Sequence, residues 1–116
     1  MSQNVDPTRN ADLWAVWLKL GLDSSQPFAV DFRFYAVNQR DAERLEARLR
    51  ELGAAVEKKS ERTLIIFKGW VVKATLHRLW TLAELDAQCL SYTALATEHE
   101  LRFEGCGALV QPVAAV

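Results

Sequence analysis

Between residues 28 and 36 the chain alternates strictly. Val30, Phe32, Phe34 and Ala36 are apolar, and Asp31, Arg33 and Tyr35 fall between them, the period of a half-buried strand. A helix is expected next, from the cap Asn38 to Leu52, with Ala42, Leu45, Leu49 and Leu52 on one face and charge elsewhere. Gly53 closes it. A short edge strand follows over Ala54 to Lys59, where Glu57, Lys58 and Lys59 discourage edge-to-edge pairing, and Ser60-Glu61-Arg62 reads as a turn.

The segment from Thr63 to Leu76 is the most apolar and changes phase. Ile65 and Phe67 are odd-numbered, whereas Trp70, Val72, Ala74 and Leu76 are even. One straight strand cannot carry both sets on one face, so the count must reset at Lys68-Gly69, by a bulge or by a tight turn. A bulge or kink is favoured because Lys-Gly is a poorer two-residue hairpin than Asn-Gly. Thr81-Leu82-Ala83-Glu84 is a capping box flanked by the staple pair Trp80 and Leu85. The helix it opens runs to about Glu98 with Leu82, Leu85, Cys89, Tyr92 and Ala96 inward. A last strand alternates Leu101, Phe103 and Leu109 with Arg102, Glu104 and Ala108, loosened by Gly105 and Gly107.

Ahead of all this, residues 1–9 read as a flexible tail, and a helix over 10–22 is capped by Asn10 and closed by Gly21. Leu13, Val16, Trp17 and Leu20 share one side of it, while Trp14 and Leu18 widen its apolar surface. Such a helix needs cover, from its own domain or from another chain. The remaining order, β-α-β-β-α-β over residues 28–112, predicts an α+β, ferredoxin-like sandwich: an antiparallel sheet with two helices on one face.

At 116 residues the chain makes one domain, and 50% hydrophobic content with 25% charge excludes a disordered tail. No apolar run reaches the ~20 residues of a membrane span, and the start lacks a secretory signal. Two cysteines without a repeated spacing fit a reduced, cytoplasmic protein. The net charge of −1 hides a split: residues 54–80 hold six Lys and Arg against two Glu, and residues 81–116 hold one Arg against five Asp and Glu.

Assembled chemistry is absent from the pattern. His77, His99, Cys89 and Cys106 show no metal-ligand spacing, so neither metal nor cofactor is expected. Cys106, between two glycines, has only His99 as a conceivable base and reads better as a small residue where backbones approach. Asp31, Arg33 and Tyr35 should share the sheet side away from the helices with Lys73, Thr75 and His77. Lys68-Gly69-Trp70 resembles the opening of an RNA recognition module's stacking motif, yet Val72 and Ala74 occupy the later aromatic positions. An RNA-binding module using the basic segment 54–80 is therefore the alternative, and direct nucleic-acid binding is not the first expectation.

From Gly21 onwards the chain resembles the family of the regulator of ribonuclease E activity B. The resemblance lies in Gly21-Leu22-Asp23, Pro27, Val30-Asp31-Phe32-Arg33-Phe34-Tyr35, the helix from Ala42 to Gly53, Trp70-Val71-Val72-Lys73-Ala74, the second helix, Ala96-Thr97-Glu98-His99 and Phe103-Glu104-Gly105. It implies a non-enzymatic cytoplasmic protein that binds the ribonuclease, inhibits it and so alters RNA turnover, on the same ferredoxin-like scaffold. The expected partner is thus a protein, a ribonuclease E-like enzyme, with a homodimer left open and no membrane involved. The residues expected to meet it are Trp14, Leu18, Arg33, Tyr35, Lys73 and His77.

Overall fold

The computed structural model describes residues 7–62 and 68–108. Its elements are α1 (Pro7–Lys19), β1 (Phe28–Ala36), α2 (Gln39–Glu51), β2 (Ala55–Arg62), β3 (Lys68–Arg78), α3 (Leu82–Glu98) and β4 (Arg102–Ala108). The strands form one open antiparallel sheet in the order β2-β3-β1-β4. The architecture is α+β, with three helices and four strands. None of the described helices is long and apolar enough to cross a membrane.

The alternation in β1 decides the layering. Val30, Phe32 and Phe34 are fully buried, and the helices bring Ala42, Leu45, Leu49, Leu85, Cys89, Tyr92 and Ala96 into the same cluster. Phe32 and Phe34 pack edge-on against Tyr92, with ring centroids 5.0 and 5.4 Å apart, and Phe103 completes the aromatic centre. Two of the three expected caps are present. Asn38 Oδ1 accepts from the Asp41 amide at 2.9 Å, and Thr81 Oγ1 accepts from the Glu84 amide at 3.1 Å. The Glu84 carboxylate does not return to the cap's backbone; it takes the Thr81 hydroxyl and the Arg78 guanidinium.

Three expectations change. The helix α1 starts at Pro7, so Asn10 lies inside it as a buried residue. Its Nδ2 donates to Asp86 Oδ1 of α3 at 2.8 Å. That bond rolls α1 so that Asn10, Leu13, Trp14 and Trp17 face the domain, while Val16 and Leu20 are exposed. The helix thus finds its cover at home, against α3.

The expected register break at Lys68-Gly69 is also absent. β3 keeps one register against β1 and β2 from Lys68 to Arg78, so Lys68 and Gly69 are ordinary strand positions. Ile65 and Phe67, which created the phase conflict, lie outside the described residues. Ser60-Glu61-Arg62 is not a turn either, since β2 continues through it.

A break does occur, but in β4. Arg33 pairs with Gly105 and Phe34 with Phe103, leaving Glu104 as the extra residue of a bulge. Gly105 has φ +118°, a conformation that side chains rarely adopt. Past the bulge the parity inverts, so Cys106 and Ala108 pair with the inward positions Phe32 and Val30. Leu109, expected to point inward, lies outside the described residues.

Candidate interaction face of the sheet

The odd positions of β1 stand on the side of the sheet away from the core, and the register fixes their neighbours. Asp31 lies opposite Thr75, Arg33 opposite Lys73, Tyr35 opposite Val71 and Ala29 opposite His77. Beyond β3, the edge strand β2 adds Glu57 beside Lys73 and Lys59 beside Val71. The four strand residues expected to share this face, Arg33, Tyr35, Lys73 and His77, do share it.

Several of its polar groups are paired across the strands. Thr75 Oγ1 donates to Asp31 Oδ1 at 2.6 Å, joining β3 to β1. Lys73 Nζ lies 3.4 Å from Glu57 Oε2, linking β3 to β2. The Arg102 guanidinium sits 5.4 Å from the centre of the Tyr35 ring. Such partly exposed pairs contribute about 0–1 kcal/mol each, so they order the surface more than they stabilise the fold.

The Tyr35 ring lies over Gly69. A Cβ placed on Gly69 would come within 1.9 Å of the phenol oxygen, so the close approach requires glycine. Val71 beside it is only 8% exposed although it faces away from the core. This end of the face is therefore a packed apolar spot. At the other end, an open depression of about 350 Å³ is lined by Asp31, Arg33, Lys73, Glu104, Gly105 and Gly107 among others. The two glycines put no side chains there, and charged groups stand around a bare backbone floor.

The two helix residues fare differently. Trp14 is partly buried, its ring 6.2 Å from Trp17 and 6.0 Å from Phe28, so it packs at the margin of the core. Leu18 is 45% exposed and stands on the other flank of α1 from Val16. Neither residue joins the sheet face.

Trp70 packs against the core with Lys58 Nζ 5.6 Å from its ring, so it is turned away from the surface where an RNA base would stack. Several cations of segment 54–80 are engaged: Lys58 with Glu43 and Glu46, Lys73 with Glu57, and Arg78 with Glu84. Among the described residues no three His, Cys, Asp or Glu side chains are grouped to hold a metal ion. Cys106 Sγ is 3.8 Å from Cys89 Sγ and 4.0 Å from Asn10 Oδ1. The hydrogen bond with Cys89, followed by burial, pushes the Cys106 thiol well above its ordinary range. A thiol so held is a poor nucleophile at neutral pH.

The cysteine pair was missed by spacing, because no sequence signal joins a helix residue to a strand residue past a bulge. A search of curated proteins finds no match. The profile of the family described as regulator of ribonuclease activity B matches residues 9–108, which takes in the described part of every element from α1 to β4 but the first two residues. This chain belongs to the regulator of ribonuclease activity B family.

Proposed function

We propose that this protein controls a ribonuclease in the cytoplasm by binding it through the exposed sheet face, and that it catalyses no reaction of its own. The family's description, a regulator of ribonuclease activity, supports the choice of partner. The strand order β2-β3-β1-β4 supports reading the scaffold as the ferredoxin-like sandwich.

One observation carries the reading: a packed aromatic spot, Tyr35 over Gly69 and Val71, lies beside an open, charge-rimmed depression. Protein interfaces commonly combine an apolar or aromatic anchor with a polar rim. In this reading Tyr35 is the anchor, Arg33 and Lys73 stand with Asp31 and Glu104 in a rim of mixed charge, and His77 lies at the margin. The pairing of Lys58, Lys73 and Arg78 with carboxylates favours a protein partner over RNA, because cations already neutralised release few counterions from a phosphate backbone.

The test is capture of a purified ribonuclease E-type enzyme by the immobilised protein, with Arg33→Ala/Tyr35→Ala as the variant. Loss of an aromatic and an arginine anchor should weaken binding by about tenfold or more, with an unchanged circular dichroism spectrum. Equal capture by the variant would remove this face from consideration. Tight, steeply salt-dependent binding of single-stranded RNA by the protein alone would instead favour the nucleic-acid reading.

A further inference from the structure

Cys89 lies on the inward side of α3 and is 2% exposed. Cys106 lies in β4 just past the bulge and is half-buried. Both are free thiols, with their sulfurs 3.8 Å apart. A disulfide has its sulfurs about 2 Å apart, so closing the bond takes a movement of roughly 2 Å at the sulfurs, the scale of a side-chain rotation. The extra residue Glu104 shifts the parity and so aims Cys106 at the helix; were Glu104 paired in a regular ladder, Cys106 would stand opposite Asp31 and face the other side of the sheet.

We propose that Cys89 and Cys106 are a redox-modifiable pair, which a peroxide converts to an intrachain disulfide that staples α3 to β4 beneath the first turn of α1. The Cys106 hydrogen bond favours the thiolate on Cys89, and that sulfur attacks one peroxide oxygen. The O–O bond breaks, the departing hydroxide is protonated to water, and Cys89 becomes a sulfenic acid. Cys106 then attacks the Cys89 sulfur, the S–O bond breaks, and the hydroxide leaves with the Cys106 proton as a second water. Two thiols lose two electrons in all, and one peroxide is reduced to two waters. Cys89 is 2% exposed, so peroxide reaches it only as the packing opens, and the pair responds to sustained oxidant.

The product would also change the surroundings. Asn10, which holds α1 to Asp86, has the Cys106 sulfur 4.0 Å from its Oδ1. Oxidation removes the thiol proton that this oxygen can accept.

The experiment uses the full chain, reduced, freed of reductant and treated with hydrogen peroxide while folded. It is then unfolded in the presence of N-ethylmaleimide and weighed intact. The expected result is a monomer lighter by two hydrogens that takes up no maleimide, and dithiothreitol restores two reactive thiols. Cys89→Ala and Cys106→Ser should each abolish this product. Should a variant not fold, the wild-type chain oxidised in urea serves as the comparison, and the folded chain should form the intrachain product several-fold faster. Retention of two reactive thiols, oxygen adducts without loss of hydrogen, disulfide-linked dimers as the main product, or closure no faster when folded than in urea would each overturn the proposal.

Discussion

The phenol of Tyr35 on β1 lies directly against the backbone of Gly69 on β3, with no room for even a methyl group between them. The two residues are joined through the sheet: Tyr35 stands opposite Val71, two positions along β3 from Gly69. Gly69→Ala must push the ring aside, and because the tyrosine is the softer partner the backbone stays in place. The expected cost is about 1 kcal/mol in urea unfolding. In the background of Tyr35→Ala the same glycine substitution should cost less, a coupling that a double-mutant cycle measures directly.

Asn10 supplies the polar contact between α1 and α3. Asn10→Ala leaves the part-buried Asp86 carboxylate without this donor, so stability should fall by about 1–3 kcal/mol. Asn10→Asp should be worse, since it places two carboxylates at hydrogen-bond distance. Urea midpoints at neutral pH, compared across the three proteins, check the order.

Trp80 is 1% exposed, and among the described residues its Nε1 has no hydrogen-bond partner. Its ring packs on Phe32, with centroids 5.9 Å apart, and under the Arg78 guanidinium. Trp80→Ala should cost about 3–5 kcal/mol by opening a cavity. Trp80→Phe also removes an unpaired donor, which recovers about 1–3 kcal/mol of desolvation penalty and offsets much of the lost volume. A small difference between Trp80→Phe and wild type, beside a large one for Trp80→Ala, is the expected pattern in thermal unfolding.

Burial raises the Tyr92 hydroxyl to about 12 from an ordinary 10.0. The folded chain therefore holds this proton more tightly than the unfolded one. Its contribution to stability is complete below pH 10 and is lost as the pH rises from 10 to 12. The loss amounts to about 2–3 kcal/mol at most. Phenolate absorbance should show one of the two tyrosines ionising near pH 12 in the folded state. Tyr92→Phe should flatten that limb of the stability profile.

Much of this scaffold was legible because strands and helices repeat with different periods. The alternation through Val30, Phe32 and Phe34 named the core face of β1 directly, and its complement, Asp31, Arg33 and Tyr35, named the exposed one. Asn38 and Thr81 were legible because a cap needs a short oxygen-bearing side chain at one position. In α1 the apolar positions cover so wide an arc that several rotations bury comparable area. The deciding contact is polar, Asn10 to Asp86, and its partner lies 76 residues away. Gly105-Cys106-Gly107 has no alternation to interrupt, so its bulge left no mark in the pattern, whereas the phase conflict near Gly69 came from counting Ile65 and Phe67 together with the positions of β3.

The same bulge makes β4 unequally sensitive to length. A strand position is inside or outside according to whether its count is even or odd, and Glu104 is the residue that shifts the count. Deleting it would join Phe103 to Gly105 with each still opposite its own partner on β1, so Cys106 and Ala108 would keep facing inward and the strand would lose only its kink. Deleting Gly107 instead would carry Ala108 to the outer surface. One spare residue thus separates a gap the strand can absorb from one that turns its end over.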